Sequence, residues 1–303
     1  MKKTFYSNGK LLITGEYLVL DGAKALALPT KFGQHLIVEK GYNQEIRWKS
    51  YDADGSIWFE ETILFSEIVS NFSFEKESIK NTLINILREA NLLNKGILEN
   101  SEGYIVTTQL TFPKKWGLGT SSTLINNIGQ WFEVDAFTLL KNSFGGSGYD
   151  IACAQNDCPI LYKLEQGKPI IEKTNFQPVF TENLYFVYLN QKQNSKTAIA
   201  AYKEKRSDLE TAKKIINQLT QSVLDAKDVG TFAQVLEKHE KELSAVLETN
   251  TIKESLFPDF NGTTKSLGAW GGDFILVISK ENPRDYFQRK GYETILEYND
   301  MIL

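Results

Sequence analysis

The sequence predicts a mixed α and β protein, and three stretches carry that prediction. Residues 25–74 alternate apolar and polar side chains and are rich in Val, Ile, Trp, Tyr and Phe, the pattern of half-buried strands. Residues 207–226 and 231–249 instead repeat apolar residues at helical spacing. The first does so at Ile215, Leu219 and Val223, the second at Phe232, Val235, Leu236, Leu243, Val246 and Leu247. Residues 184–190 (LYFVYLN) are a short apolar run bounded by polar residues, which reads as a buried strand.

Taken in order, residues 4–20 (TFYSNGKLLITGEYLVL) read as two short strands, around Phe5 and Tyr6 and over 10–14. A turn at Gly15 and Glu16 then leads into a third apolar run, 17–20, the outline of a hairpin at a sheet edge. Turn signals at 41–43 and 52–55 divide the following strand-rich stretch into hairpins. Trp48, Trp58 and Phe59 fall there, and such aromatics are mostly half-buried sheet residues, with stacking on an adenine as the alternative use. Residues 75–93 place Ile79, Leu83, Ile86, Leu87 and Ala90 on one helical face, and 96–112 return to strand.

Residues 112–124 (FPKKWGLGTSSTL) follow that strand. Pro113 ends it, Gly117 and Gly119 bracket a turn, and a helical pattern runs on through 124–140. Residues 144–152 (FGGSGYDIA) put Asp150 just past a tight turn, where an aspartate is ordinarily a turn or cap carboxylate. Residues 159–172 read as a hairpin turning at Glu165-Gln-Gly, and a domain boundary is expected within 165–183, dividing the chain into 1–175 and 176–303. His239 falls on the apolar stripe of the second long helix, where a lone histidine is ordinarily a satisfied core residue. Residues 265–274 (KSLGAWGGDF) form a glycine-rich turn that feeds a strand at 275–278.

Composition narrows the function classes. A chain of 303 residues forms one large domain or two of ordinary size, and 42% hydrophobic with 24% charged residues is the make-up of a soluble globular protein. The net charge of −4 argues against a nucleic-acid-binding surface. The apolar run Leu11-Leu12-Ile13 is too short for a signal segment or a membrane span. Cys153 and Cys158 are the only cysteines, His35 and His239 the only histidines, which is no disulfide framework and weak support for zinc. A cytoplasmic enzyme or binding protein, with no membrane and no nucleic-acid partner, is expected.

The chemistry concentrates at 112–124. Glycines let the backbone approach a ligand closely, and the amides that open a helix point outward unpaired, so the stretch is suited to phosphate. The hydroxyls of Thr120, Ser121 and Ser122 could cap the helix, contact phosphate or hold Mg²⁺. No Lys-Ser/Thr pair follows the glycines, so it is not a Walker A loop, and it is not G-x-G-x-x-G. An ordinary glycine turn with a serine cap is the other reading of the stretch alone.

Its wording resembles the second motif of the GHMP kinases, P-x-x-x-G-L-G-S-S-A, at Pro113, Gly117, Leu118, Gly119, Ser121 and Ser122, with Thr120 in place of the first serine. Residues 9–20 resemble the first motif, P-G-K-x-x-L-x-G-E-Y-x-V-L, with Asn8 replacing its proline. Residues 265–273 resemble the third, K-x-S/T-G-A-G-G-G-G/D, with Leu267 and Trp270 as departures. The G-S-G-Y-D-I-A wording around Asp150 is similar to the mevalonate and phosphomevalonate kinase branch.

The resemblance implies an α+β, two-domain fold: an N-terminal half like ribosomal protein S5 domain 2 and a ferredoxin-like C-terminal half. It also implies transfer of the γ-phosphoryl group of ATP, with Mg²⁺, to a small-molecule alcohol or phosphate monoester, by a monomer or homodimer. In that reading Lys10 and Asp150 are catalytic. Lys114, Gly117, Leu118, Gly119, Thr120, Ser121 and Ser122 hold ATP, with Ser121 or Ser122 on the metal. Glu16, Ser147, Gly148, His239, Gly268, Ala269, Gly271 and Gly272 border the acceptor. Phosphomevalonate would need a basic clamp, which Lys114, Lys115, Lys192 and Lys196 could supply. The family's Mg²⁺-binding glutamate is replaced by Leu139, and Glu133 and Asp135 are out of register. A nucleotide-binding regulator without turnover and a diphosphomevalonate decarboxylase-like enzyme are the alternatives on the same fold.

Overall fold

The computed structural model describes residues 2–70, 78–192, 195–204 and 209–303. The chain divides into two compact units that interleave in sequence. The first holds Met1–Gly9, Phe32–Lys114 and Leu118–Gln155, and the second holds Lys10–Lys31, Lys115–Gly117 and Asn156–Leu303. The expected single cut at 175/176 falls inside the second unit.

Strand β1 (Lys3–Leu12) and strand β2 (Ala25–Lys40) contribute residues to both units. In the first unit β2 is followed by β3 (Glu45–Tyr51), β4 (Ile57–Leu64), α1 (Phe65–Val69), α2 (Ile79–Leu93), α3 (Gly96–Glu99), β5 (Tyr104–Leu110), α4 (Thr120–Phe132), α5 (Ala136–Ser143) and α6 (Tyr149–Ala154). The sheet runs β4-β3-β5-β2. β3 is parallel to β5, while β2 pairs antiparallel with β5, Val38 opposite Val106. The inward residues Trp48, Val106 and Ile63 meet α2, α4 and α5 through Leu87, Ile125, Trp131 and Leu139 in one buried core.

The second unit continues with β6 (Ile160–Glu165), β7 (Lys168–Lys173), β8 (Leu184–Tyr188), α7 (Ser195–Glu204), α8 (Leu209–Asp225), α9 (Val229–Leu247), α10 (Ile252–Leu256), β9 (Thr263–Ser266), β10 (Phe274–Ile278), α11 (Arg284–Arg289), β11 (Ile295–Glu297) and α12 (Tyr298–Met301). β6 pairs with Ala25–Ala27 of β2, and the β6–β7 hairpin turns through Gln166 and Gly167, both with positive φ. Among the described residues a four-stranded antiparallel sheet runs β11-β8-β10-β9. Its core holds Val187, Val277, Phe257 and Phe287. A second apolar cluster joins Leu18 and Ala23 to Ile216 of α8 and Leu243 of α9.

Five elements differ from expectation: α3 (Gly96–Glu99) is helical where strand was expected over 96–112, and the other four differ each for a local reason. β1 is one strand, because Ser7 and Asn8 are buried and the Ser7 hydroxyl donates to Asn127 Oδ1 at 2.8 Å, which outweighs the Asn-Gly turn signal. Residues 18–21 form a 3₁₀ turn with Leu18 and Val19 buried, so no third strand and no edge hairpin forms there. Residues 65–69 are helical, the Glu67 carboxylate accepting the Leu64 N–H at 2.8 Å as at a helix start. The helix expected over 124–140 is two helices. Glu133 is left-handed at φ 57°, and Asp135 restarts the chain by accepting the Thr138 N–H at 2.7 Å. The expected helix over 75–93 begins outside the described residues at its N-terminal end and is present from Ile79.

Leu139, which stands where the family pattern has a glutamate, is fully buried in the first core. We expect Leu139→Glu to destabilise the protein by about 3 kcal/mol or more, since a carboxylate there has no partner. Urea unfolding of the variant measures this, and an unchanged midpoint would mean the position is not core.

Candidate active site

The residues singled out in the sequence fall into two groups, one per unit. In the second unit the three motifs meet at Gly117. Lys10, on β1, donates from Nζ to the Gly117 carbonyl at 2.9 Å. The Asp273 carboxyl packs against the same glycine, where an added Cβ would collide with it, and Gly117 has φ +70°. Only glycine suits that position. Asp273 is fixed in turn, its N–H donating to the Gln191 carbonyl at 2.6 Å and its own carbonyl accepting the Leu189 N–H at 2.8 Å. The preceding residues are anchored by the Tyr188 hydroxyl, which donates to the Lys115 carbonyl at 3.1 Å, and by the edge of Trp116 against Phe274.

In the first unit the chain enters α4 through Gly119, left-handed at φ 103° and carrying no side-chain cap. The first-turn amides of this 13-residue helix therefore lack a capping side chain, the condition for binding a phosphate. Thr120 is half-buried, Ser121 exposed, and Leu118 fully buried. Ser122 is buried, and its hydroxyl donates to the Gly119 carbonyl at 3.0 Å. With Ser122 buried and Ser121 exposed, Ser121 is the accessible one of the two expected metal contacts. The Lys114 N–H donates to Asp52 Oδ1 at 2.9 Å, and its ammonium lies 4.4 Å from the centroid of the Trp58 ring, a cation–π contact.

Ser147 is half-buried and Gly148, at φ 88°, opens α6. Asp150 stands in the first turn of that helix, half-buried, with Oδ1 accepting the Ile151 N–H at 3.0 Å. α6 is tied to α4 by Gln155, which donates to Asn126 Oδ1 at 2.9 Å. Leu139 lies in the core, and Asp135 caps α5, so neither the family's metal position nor its neighbour offers a ligand. Among the described residues no group of three His, Cys, Asp or Glu could hold a metal ion.

Glu16 and His239, expected to border the acceptor, are instead fully buried. His239 Nε2 accepts the Gly15 N–H at 3.0 Å, which places its proton on Nδ1 and leaves the ring neutral. Burial, reinforced by Lys265, holds its pKa well below the usual histidine range. Glu16 is hydrogen-bonded to the Lys265 ammonium, which also lies 3.2 Å from Glu240 Oε2. Glu240 accepts the Ser266 hydroxyl at 2.8 Å. Burial alone would lower the Lys265 pKa, but the two carboxylates more than offset it and raise it. Burial pushes Glu16 up to about 7 against the attraction of Lys265, with Glu240 adding repulsion.

Lys265 and Glu240 were not assigned roles from the sequence. The signal available was a glutamate beside His239 on an apolar helical stripe, opposite the lysine that opens the third motif. Gly268 and Gly271 have positive φ, Ala269 and Gly272 are buried, and the Trp270 N–H donates to the Tyr17 hydroxyl at 3.2 Å. The third turn thus touches the residue that follows Glu16. In the proposed basic clamp, Lys114 is engaged with Trp58 and the Lys196 side chain lies outside the described residues.

Two measurements check the buried network. Lys265→Met should cost about 3–5 kcal/mol in urea unfolding, because two buried carboxylates lose their cation. Glu16 binds its proton more tightly folded, at about 7, than at its ordinary 4.5. Its contribution to stability is therefore complete below that ordinary value and lost as pH rises through about 7. Relative to Glu16→Gln, the native protein should lose on the order of 3 kcal/mol between about pH 4.5 and pH 8. Parallel pH dependences of the two would show that Glu16 does not titrate in this way.

No model of a known protein family matches the sequence, and no curated protein does. Solved structures match over nearly the whole chain. Mevalonate kinase from Methanococcus jannaschii is 15% identical, with 97% of this chain and 96% of that one covered and a TM-score of 0.70. The galactokinase of Lactococcus lactis, solved with galactose, is 12% identical, with 98% and 92% covered and a TM-score of 0.69. Streptococcus pneumoniae phosphomevalonate kinase, solved with phosphomevalonate and AMPPNP, is 15% identical, with 95% of each chain covered and a TM-score of 0.67. The mixed sheet with its covering helices and the antiparallel sheet of the second unit thus share the α+β, two-domain fold of these three kinase structures.

Proposed function

We propose that the protein is an ATP-dependent, GHMP-type small-molecule kinase that transfers the γ-phosphoryl group to an alcohol or phosphate monoester. The observation that carries this reading is the meeting of Lys10, Gly117 and Asp273, from three distant motifs, at one glycine. In the first unit the N-terminus of α4 is uncapped, with Ser121 exposed. Mevalonate and phosphomevalonate are the acceptors that the wording around Asp150 favours. The nucleotide analogue in the Streptococcus pneumoniae enzyme and the galactose in the Lactococcus lactis enzyme support a nucleotide paired with a small acceptor. We read the enzyme as cytoplasmic; among the described residues no helix is long and apolar enough to cross a membrane.

Phosphoryl transfer asks a protein mainly to position reactants and stabilise charge on the phosphoryl oxygens. In this reading the first-turn amides of α4 hold the nucleotide phosphates. Lys10 is fixed at the Gly117 carbonyl, from where its ammonium offsets negative charge that develops in transfer. Asp150 orients the acceptor hydroxyl and takes its proton as the new P–O bond forms and the bond to ADP breaks. The Trp58 ring beside Lys114 offers a flat surface for a base. Mg²⁺ would neutralise phosphate charge; Ser121 is the protein donor that fits it, with nucleotide oxygens and water completing its shell. A regulator that binds nucleotide without turnover is the second reading, favoured by the burial of Leu139 and of Ser122.

Asp150→Asn should bind ATP as the native protein does while turnover falls by about 10²-fold or more. Lys10→Met should lower turnover by a similar factor. ATP binding by titration and ADP release with a panel of acceptors measure both. Native turnover in Asp150→Asn would remove its role as base, and native turnover in Lys10→Met would make Lys10 structural.

A further inference from the structure

The middle of α4 carries two consecutive asparagines, Asn126 and Asn127, although asparagine is a weak helix former and both are buried in the first unit. A buried amide is costly unless its hydrogen bonds are made. Here they are made in one direction. Gln155 Nε2 donates to Asn126 Oδ1 at 2.9 Å, and Asn126 Nδ2 donates to Ser7 Oγ at 2.8 Å. The Ser7 hydroxyl donates to Asn127 Oδ1 at 2.8 Å, and Asn127 Nδ2 donates to the Gln34 carbonyl at 2.9 Å. Each group accepts from one neighbour and donates to the next, an order in which hydrogen bonds strengthen one another.

The chain of bonds joins four elements of one unit: β2 at Gln34, β1 at Ser7, α4 at both asparagines, and the C-terminal end of α6 at Gln155. Holding α4 on the sheet does not require it, since apolar side chains of similar volume would serve as well. The member with most to gain is α6. It has six residues, too few to hold a helix in water, and Gly148 gives it no side-chain cap. Its buried residues Ile151, Ala152, Cys153 and Ala154 supply apolar contact, which is not directional. The Gln155–Asn126 bond is directional. Asp150 stands five residues before Gln155, about 7.5 Å along the helix axis, so a shift or rotation of α6 carries its carboxylate with it. A misplacement of about 1 Å can cost a reaction on the order of 10²-fold.

We propose that Asn126 and Gln155 are positioning residues, whose hydrogen bond fixes α6, and with it Asp150, against the helix that carries the uncapped first turn. The use of that placement for phosphoryl transfer rests on the kinase reading; the placement itself rests on the bonds between α4 and α6. Neither residue touches the reactants in this role. Gln155 is exposed, so it is the member of the chain that can be removed without opening the core.

The test is a double-mutant cycle in the full chain: Gln155→Ala, Asn126→Ala and the two together. Three quantities are read: hydrogen exchange of the amides over 149–155, ATP affinity by calorimetry, and kcat for transfer from Mg²⁺-ATP to mevalonate and to phosphomevalonate. Circular dichroism confirms folding, and Gln155→Ala, at an exposed position, keeps the native urea midpoint. Each single variant should speed exchange over 149–155 about fivefold and lower kcat about fivefold, the share of one hydrogen bond. ATP affinity should stay within about twofold of native. The double variant should go no further than the stronger single one, because both remove the same bond. Effects that multiply in the double variant, or a loss of ATP affinity in proportion to kcat, overturn the proposal. Native exchange over 149–155 in Gln155→Ala with transfer intact overturns it and keeps the kinase reading. Faster exchange that does not multiply, in a protein that transfers phosphate to neither acceptor, upholds the placement of α6 and removes the kinase reading.

Discussion

The second unit depends on the ammonium of Lys265, held between the carboxylates of Glu16 and Glu240 with no exposure to water. Desolvating three charges is expensive, and a buried ion pair is seldom worth more than well-packed apolar side chains of the same volume. Its value here is in what it joins. Glu16 belongs to the turn after β1, Lys265 to β9, and Glu240 to α9. These elements lie 224 or more residues apart in the case of Glu16 and its partners, and no local propensity could bring them together. His239 extends the same joint by taking the Gly15 N–H, so two consecutive residues of α9 hold the first and third motif turns.

From that joint the motif turns reach outward. The first carries Lys10 at the end of its strand, the third carries Trp270 and Asp273, and both arrive at the short segment Lys115–Gly117. Glycine at 117 is required by a positive φ and by the carboxyl group pressed against its α-carbon. The same segment opens onto Gly119 and the uncapped helix beyond it. An anion site made of backbone amides asks for little side-chain chemistry, and the motif is correspondingly poor in charge: its lysines, Lys114 and Lys115, precede the glycines.

Much of this was legible in the sequence where pattern and geometry coincide. The hairpin at Gln166 and Gly167, the strand at 184–188 and the long helices α8 and α9 follow from turn chemistry and periodicity. The glycines of 112–124 marked a turn into a helix, but α4 already begins at Thr120, ahead of the expected run from 124, and no hydroxyl caps it. The single helix over 124–140 was not corrected by any local signal, because Glu133 and Asp135 are ordinary helix-surface residues until the chain needs a left-handed turn and a cap. The 3₁₀ turn at 18–21 was hidden for the same reason: Leu18 and Val19 suit a strand equally well, and burial against α8 and α9 decides the matter. Glu16 read as a charge bordering the acceptor because its partners are distant in sequence. A buried charge becomes visible only once the counter-charge is located.

The central claim is phosphoryl transfer from ATP, and the most direct measurement follows the phosphorus itself. The protein would be incubated with Mg²⁺ and ATP labelled at the γ-phosphate, against mevalonate, phosphomevalonate, diphosphomevalonate, homoserine, sugars and uncharged alcohols. The account predicts that label appears on one acceptor as ADP accumulates in equal amount. Tight ATP binding with the label remaining on ATP across every acceptor would contradict it and leave a nucleotide-binding protein without turnover.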